Sequence, residues 1–481
     1  MTLEALLRDV TAVHVQGPLN RSVRHVTRDS RDVGPESVFV AIVGGSVDGH
    51  DFVGDLECAA VVVERATVAR PGVAVIQVAN TKRALAQAAS ALHGHPSRHV
   101  RVVGITGTNG KTTVSALVEG ALLTLDRTVA RVGTIGNAIN GALQPARFTT
   151  PEAPQLQALL DDLVTRGVDT LVMEVSSIGL SQHRVDGTEF HCAMFTNLTQ
   201  DHLDFHGTMD AYAEAKSRLF RELLRPEGGL PRAVLCRDDP AWEAMGAPED
   251  RWTYGRHEQS DFRIVSSRLD GQGTALQVQT PVGTVDLHSP MIGDHNALNL
   301  VGALALLVAV GIPVDAAAQA LGAVEGVPGR LEVIRNPNRL VVVDYAHTPD
   351  ALGHALRTLR AVSEGRLWVV FGCGGDRDRQ KRPLMGAVAA EAADVVVVTS
   401  DNPRSEDPTA IIDAICVGIP AGTELRVQAD RRAAIREAVR AMAAGDALLI
   451  AGKGHETTQE VAGVKTPFDD RREAALALGA A

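Results

Sequence analysis

Four stretches in the last third of the chain constrain its fold most. RLVVVDYAH, RLWVVFGCGG, DVVVVTSDN and ALLIAGKGHE are continuous apolar runs that stop at polar residues. A strand with one wet face alternates apolar and polar residues, so an unbroken run needs apolar cover on both faces. Helical patterns separate the four runs, which predicts a parallel sheet between two helical layers. Ligands of such sheets bind beyond the carboxyl ends of the strands. The polar tails CGGDRDRQKR, SDNPR and GKGHE are therefore expected at one rim. Within SDNPRSEDP (Ser400–Pro408), turn chemistry alone accounts for Asp, Asn and Pro. Arg404 admits two readings: a guanidinium that grips a carboxylate ligand, or a structural partner of Glu406 or Asp407.

The same strand-to-loop grammar occurs earlier. Short Val-rich strands such as SVFVAIVG and AAVVVE occupy the first stretch, and HGHPSRH (Gly94–His99) reads as a boundary. VRVVGIT is a buried-strand pattern that runs through ITGTNGKTT into a helix from about Lys111, with Val114, Leu117, Val118 and Leu122 on one face. Gly107 and Gly110 allow the backbone N–H groups of Thr108, Asn109 and the helix start to close around phosphate oxygens. Lys111 brings charge to the β- and γ-phosphates, and Thr112 or Thr113 can face a magnesium ion. The spacing G-x-x-G-K-T is shorter than the general phosphate loop. A tight structural turn is the bland alternative, but Lys beside two Thr between strand and helix favours a nucleotide.

DTLVMEV and HCAMFTNL are further strands. Glu174 closes the first, where a carboxylate can hold magnesium near phosphates or pair with a base. TNLTQDHLDFH supplies Asp201, His202, Asp204 and His206. Two histidines among acids raise zinc, but no third nitrogen or sulfur ligand stands at metal spacing, so magnesium is preferred. AYAEAKSRLF is a helix on which Lys216 lies beside Leu219 and Phe220. Alone, it reads as a lysine lying along an apolar surface.

The length of 481 residues fits several domains, and an apolar fraction of 45% with 22% charged residues is ordinary for a globular chain. Aromatics make up 3%, so the cores must be built from Val, Ala and Leu. A net charge of −11 argues against a nucleic-acid-binding surface. The five cysteines are scattered without a CxxC pair, which excludes a disulfide framework and a zinc ribbon and fits a reducing cytoplasm. The start, MTLEALLRDV, lacks a signal peptide's basic and apolar regions. The longest apolar stretch, Leu300–Val314, is too short for a membrane span and reads as a buried helix. No internal repeat is visible and nothing resembles a dimer seam, so a monomer is expected.

ITGTNGKTT, MEVSS, NLTQDHLDFHG, AKSRLF, GDHNALN, VPGRLE, VDYAHTPDAL, FGCGGDRDRQKRPLMG, SDNPRSEDP and AGKGHE run in this order over nearly the whole chain. Together they resemble the Mur ligases, and among these the branch that adds the third residue of the peptidoglycan stem peptide. The resemblance implies an α/β chain of three domains. Residues 1–98 would bind the UDP part of the substrate, 99–327 would form a P-loop-like ATP domain with a parallel sheet, and 328–481 a Rossmann-like domain for the amino acid. It implies that ATP phosphorylates the D-Glu carboxylate of UDP-MurNAc-L-Ala-D-Glu and that an incoming amine displaces phosphate. It makes Glu174 and His202 magnesium ligands, together with Lys216 as a carbamate formed from carbon dioxide, and these join Thr112 of the glycine loop.

For ATP the resemblance implicates Asn296 on the base, Arg330 on phosphate and Asp344 on the ribose, beside the loop residues Gly107 to Thr113. For the UDP-sugar peptide it implicates Ser30, Thr149, Thr150, Ser176, Gln182 and Arg184. Ile178 stands where many relatives carry His or Gln. For the amino acid it implicates Arg377, Asp401, Asn402, Pro403, Arg404, Gly452 and Glu456. DNPR resembles the form found with meso-diaminopimelate, a diamino acid whose far end carries a carboxylate that Arg404 can hold with two bonds. Lysine or ornithine would present an ammonium there instead.

Overall fold

The computed structural model describes all residues except 46, 147, 226–231, 335, 337–338 and 480–481. Contacts divide the chain into two compact units. One comprises residues 1–263 with 301–320, the other 264–300 with 321 onward.

The first unit holds two bodies of sheet. Five strands follow the order Ala12–Gln16, Ala74–Val78, Ala60–Val63, Ser37–Val40 and His25–Thr27, antiparallel at the first pair and parallel after it. One face packs under the helix Thr81–Leu92 through Val38, Val62, Ile76 and Leu85. The second body has parallel strands in the order Val129–Gly133, Thr170–Glu174, Arg101–Thr106, Cys192–Phe195, Ala233–Cys236 and Arg251–Gly255. Arg101–Thr106 is thus flanked by Thr170–Glu174 and Cys192–Phe195. The residues leaving these three strands must meet at one edge, which places the glycine loop beside Glu174 and Thr196. The helix Lys111–Thr124 begins where the sequence predicts, and Val114, Leu117, Val118 and Leu122 are all buried.

The second unit carries a six-stranded sheet. Its order is Glu332–Ile334, Leu340–Asp344, Ala447–Ala451, Leu367–Phe371, Val395–Val398 and Glu424–Val427. Only the first pair is antiparallel. The four apolar runs are its four central strands, and both faces are covered as predicted. Pro349–Val362, Lys381–Ala392 and Pro408–Cys416 lie on one side, Arg431–Ala441 and Asp470–Leu478 on the other. A hairpin of Gly273–Thr280 and Gly283–Ser289 also belongs to this unit.

The stretch Leu300–Val314 is not one helix. The helix Asp294–Ala309 ends before Gly311, whose φ of 95° breaks the helical path, and Pro313 precedes the next helix, Val314–Gly322. Helices among the described residues are nowhere long and apolar enough to cross a membrane. All five cysteines are free thiols.

Candidate active site

Gly107 leaves its strand at φ 145° and Gly110 enters the helix at φ 85°, both values that side chains resist. A Cβ on Gly107 would lie 1.9 Å from Thr196 Oγ1. The loop is braced by the segment after Cys192–Phe195. Thr196 Oγ1 donates to Asn109 O at 2.6 Å, Asn109 N–H donates to Asn197 Oδ1 at 2.9 Å, and Thr108 Oγ1 donates to Thr199 O at 3.1 Å. Sequence reasoning took TNLTQDHLDFH only for its acids and histidines and missed this brace. The signal was its place at the end of a strand beside the loop.

Lys111 Nζ donates to Gly107 O and Thr108 O at 2.9 and 2.7 Å. Lys216 Nζ reaches the same Gly107 oxygen at 2.8 Å and lies 4.4 Å from the centre of the Tyr212 ring. Lys216 is 1% exposed. Burial and the neighbouring Lys111 charge hold its amine well below the usual lysine range, against a smaller pull from Asp201. It is therefore not a lysine whose head reaches water.

Glu174 has no exposed surface. Thr112 Oγ1 donates to its Oε2 at 3.0 Å, and Thr134 donates through N–H to Oε1 at 2.9 Å and through its hydroxyl to Oε2 at 3.0 Å. Its hydrogen-bonding partners are threonines and not a base. A Cβ on Gly133 would lie 2.1 Å from Oε1, so glycine there makes room for the carboxylate. Thr134 was not foreseen. His202 is exposed, in the left-handed region at φ 52°, with its ring edge-on to Tyr212 at 6.2 Å. Tyr212 is thus a common neighbour of His202 and Lys216. His206, at the end of a short helix, Leu203–His206, has its Nε2 3.0 Å from Ser177 Oγ. Among the described residues no three His, Cys, Asp or Glu side chains form a metal-holding group.

The residues assigned to the sugar-peptide connect to the same edge. Thr149 Oγ1 lies 3.1 Å from Thr134 Oγ1, and Thr150 Oγ1 donates to Glu174 O at 3.0 Å and lies 3.1 Å from Ser176 Oγ. Ser176 caps the helix Ser177–Ser181, in which Ile178 is half-buried. Arg184 donates to Thr150 O at 3.1 Å and pairs with Glu152 at 2.8 Å, while its buried Nε has no partner among the described residues. Gln182 and Arg184 line a recess with Arg28, Lys82 and Glu152. Ser30 lies in a turn, Ser30–Asp32, two residues beyond Arg28.

In the second unit the three polar tails do meet at one rim. Asn402 Nδ2 donates to Glu456 Oε2 at 2.7 Å, and Asn402 Oδ1 accepts from Lys453 Nζ at 3.1 Å and from Glu460 N–H at 3.0 Å. Lys453, fully buried, also donates to Glu456 at 2.9 Å. Burial raises the Glu456 carboxyl, but the Lys453 charge and these bonds bring it net below the usual range. Lys453 lies inside GKGHE between Gly452 and Glu456, and its complete burial is a tertiary fact that the motif does not carry. Gly452, at φ 114°, leaves space that a Cβ would fill 2.6 Å from Asp401 Oδ2. Burial pushes Asp401 above the ordinary carboxylate range.

Arg404 sits at φ 54°, held by N–H donation to Glu460 O and by Ala462 N–H donating to its own carbonyl at 2.7 Å. Pro403 precedes it, and Pro403 O accepts from Glu406 N–H at 3.0 Å. The Arg404 guanidinium donates to Gly375 O at 2.6 Å. It pairs with neither Glu406 nor Asp407, and Asp376, which feels its charge, is held by the Ser405 hydroxyl at 2.6 Å. Glu406 is taken by Arg382 at 2.9 Å and Arg379 at 3.0 Å, and Asp407 caps a helix through Thr409 N–H. A Cβ on Gly374 would touch both Arg404 and Arg377, so the two guanidinium-bearing chains flank one glycine.

The residues assigned to ATP in this unit are more occupied. Asp344, buried and raised by burial, accepts from Leu331 N–H and Ala346 N–H, both at 2.8 Å. The first bond supports Leu331 in the left-handed region at φ 43°, a costly place for a branched residue. Arg330 stacks 5.0 Å over Tyr345. Asn296 is buried, donating to Ile292 O at 2.8 Å and accepting from Asn299 at 3.1 Å.

The first unit thus carries a braced glycine loop with two lysines and a buried acid at the adjacent strand end, and the second unit carries an arginine-bearing rim. Three family profiles match in succession: "Mur ligase family, catalytic domain" over residues 22–93, "Mur ligase middle domain" over 105–307, and "Mur ligase, glutamate ligase domain" over 329–454. A UDP-N-acetylmuramoyl-L-alanyl-D-glutamate--2,6-diaminopimelate ligase of Thermosynechococcus vestitus is 44% identical, over 96% of this chain and 94% of its own. The protein of the same name from Gloeobacter violaceus is 44% identical over 94% and 93%. A solved structure of a ligase with this name superimposes with a TM-score of 0.76 at 33% identity, covering 100% of this chain and 99% of the other. With loop, acid and rim in place and relatives matching end to end, the chain belongs to the Mur ligase family.

Proposed function

We propose that the chain is an ATP-dependent amide ligase that joins meso-diaminopimelate to the D-Glu carboxyl group of UDP-MurNAc-L-Ala-D-Glu. The observation that carries the amino-acid choice is Arg404. Its guanidinium rests on a carbonyl beside Arg377, while Glu406 and Asp407 are engaged elsewhere. A bidentate bond to the distal carboxylate is the use this geometry suits. Glu456, kept ionised and aimed by Asn402 and Lys453, suits the distal ammonium. The names of the relatives point to the same amino acid.

A carboxylate is a poor acyl donor. Transfer of the γ-phosphoryl group to it supplies a leaving group, which the amine then displaces through a tetrahedral intermediate. Such transfer needs positioning and charge neutralisation more than covalent help. The start of the helix Lys111–Thr124 would meet the phosphates, since the Thr108 and Asn109 N–H groups are held by Asn197, and Lys111 leaves its two carbonyls to join it. Glu174 and Thr112 offer hard oxygen donors 3.0 Å apart, which fits magnesium, and His202 and a Lys216 carbamate would complete its holders. Magnesium, when bound, would offset charge developing on the phosphoryl oxygens. The buried, depressed amine of Lys216 fits carbamate formation: its lone pair adds to carbon dioxide and one N–H proton leaves to solvent. Arg184, with an unpartnered buried Nε, and the Arg28 and Lys82 side chains suit the anionic UDP-sugar peptide. We assign residues 1–98, 99–327 and 328–481 to UDP-substrate, ATP and amino-acid binding, in a cytoplasmic monomer.

The test is phosphate release with ATP, magnesium and UDP-MurNAc-L-Ala-D-Glu, against meso-diaminopimelate, L-lysine and L-ornithine, with products identified by mass. Strong preference for diaminopimelate is expected. Preference for lysine or ornithine would overturn the amino-acid assignment, and no release with any of the three would overturn the ligase reading.

A further inference from the structure

The loops that form the rim leave strands that are not neighbours. Val395–Val398 leads into Ser400–Arg404 and Ala447–Ala451 into Gly452–Glu456, with Leu367–Phe371 between the two strands. At ~4.8 Å per strand spacing the loop roots are about 10 Å apart. The sheet's own hydrogen bonds do not join them directly.

One side chain spans the gap. Arg431, the first residue of the helix Arg431–Ala441, donates through Nη1 to Ser400 O at 3.2 Å and through Nη2 to Ala451 O at 2.9 Å. Ser400 immediately precedes Asp401, and Ala451 immediately precedes Gly452. The guanidinium is aimed by Asp470, with Nε to Oδ1 at 2.8 Å and Nη2 to Oδ2 at 2.7 Å, and neither side chain has exposed surface. Its charge also opposes the upward push of burial on Asp401. A planar fork can hold a carboxylate and two divergent carbonyls at once, whereas an ammonium offers one nitrogen. At the front the same loops are joined by Asn402, Lys453 and Glu456. Arg431 is the matching tie at the back.

We propose that Arg431, oriented by Asp470, is a positioning residue for amino-acid recognition. It fixes the separation of the Asp401–Arg404 and Gly452–Glu456 loops, and so the spacing at which the distal carboxylate and ammonium of the diamino acid are met. The inference rests on the amino-acid site assigned above. A purely structural role is the weaker explanation, because a buried ion pair usually stabilises a fold no more than apolar residues of similar volume.

The test uses the full-length enzyme with diaminopimelate, ATP and the UDP-sugar peptide varied in turn. Arg431→Met combined with Asp470→Leu removes both charges at similar volume. Arg431→Lys keeps the charge and loses the fork. Arg404→Ala runs beside them to report on the site itself. Each Arg431 variant is expected to raise KM for diaminopimelate about tenfold, with the other two KM values within about twofold and kcat changing less. If the folded variants leave KM for diaminopimelate unchanged while Arg404→Ala raises it, the positioning role is overturned and the site stands. If Arg404→Ala also leaves it unchanged, the site assignment falls, and this role with it. Equal shifts in all three KM values would show a general structural effect and overturn the proposal. Should the double variant not fold, Arg431→Lys decides by the same readout.

Discussion

The phosphate loop and the amino-acid rim both gather basic side chains, yet they do so in opposite ways. At the loop, Lys111 and Lys216 converge on one backbone oxygen, that of Gly107. At the rim, cations meet carboxylates: Lys453 with Glu456, Arg382 with Glu406, and Arg431 with Asp470. Two amines on one carbonyl disfavour each other's protonation, so a group that gives either of them another partner relieves the competition. A bidentate guanidinium–carboxylate pair is satisfied and stays where it is. The loop is therefore arranged to change on binding and the rim to hold still. The exception within the rim is Arg404, which rests on a carbonyl as the loop lysines do, and it is the residue assigned to the ligand.

The largest effect should come from breaking the loop side. Lys216→Ala is expected to lower kcat about a thousandfold in the phosphate-release assay, on the scale of losing a group that organises charge in the transition state. ATP binding, measured by fluorescence titration, should survive. Partial recovery with added acetate would support a carboxylate-like role for the modified lysine. Full activity in the variant would refute the carbamate.

Breaking the exception in the rim should cost less. Arg404→Ala is expected to raise KM for diaminopimelate about tenfold to a hundredfold, the range for a lost charge-assisted hydrogen bond, with KM for ATP little changed. Equal increases for both substrates would mean that Arg404 supports the fold and does not read the ligand. A smaller effect again is expected from Gly107→Ala. The new Cβ would lie 1.9 Å from Thr196 Oγ1, so Thr196 must shift and loosen its bond to Asn109 O. KM for ATP should rise about tenfold, the cost of a displaced loop and a strained φ. Unchanged ATP kinetics would show that the brace does not set the loop.

The contrast also explains what the sequence disclosed. The four central strands of the second sheet are continuous apolar runs, so their burial and parallel pairing were legible. The glycine loop was legible because strand, glycines, lysine and helix follow one another without a gap. Arg431 and Asp470 were not legible, since they lie 39 residues apart at helix starts that look solvent-facing in isolation. The Thr196, Asn197 and Thr199 brace was hidden because each of its bonds has a backbone group at one end, which carries no residue identity. The hairpin Gly273–Ser289 shows alternating burial on both strands, so its signal was present in ALQVQT and TVDLHS and was passed over. The role of Lys216 came from the family resemblance, since spacing alone favoured a lysine reaching for water. Its burial beside Lys111 is a tertiary fact.

His191 sharpens the comparison with the smallest expected effect, because it shares the electrostatic state of Lys216 without a ligand nearby. Val102 N–H donates to its Nδ1 at 3.0 Å, and an Arg225 guanidinium nitrogen lies 2.7 Å from Nε2. Burial, then Arg225 and Arg101, lower it from 6.5 to about 4. If depressed basicity by itself marked function, this histidine would qualify, but its surroundings offer only hydrogen bonds within the fold. Its consequence should then be confined to stability. The folded state binds fewer protons than the unfolded state between pH 6.5 and about 4, so stability present above pH 6.5 is lost as pH falls through that window. At pH 5 the site should have cost about 2 kcal/mol. His191→Asn, which keeps an acceptor for Val102, should lower stability at pH 7 yet lose correspondingly less between pH 7 and pH 5, as read from urea midpoints at both values. Equal losses in variant and parent would show that His191 does not carry the acid sensitivity. A change in KM for ATP at constant pH would show that its neutral state serves the site after all, as is proposed for Lys216.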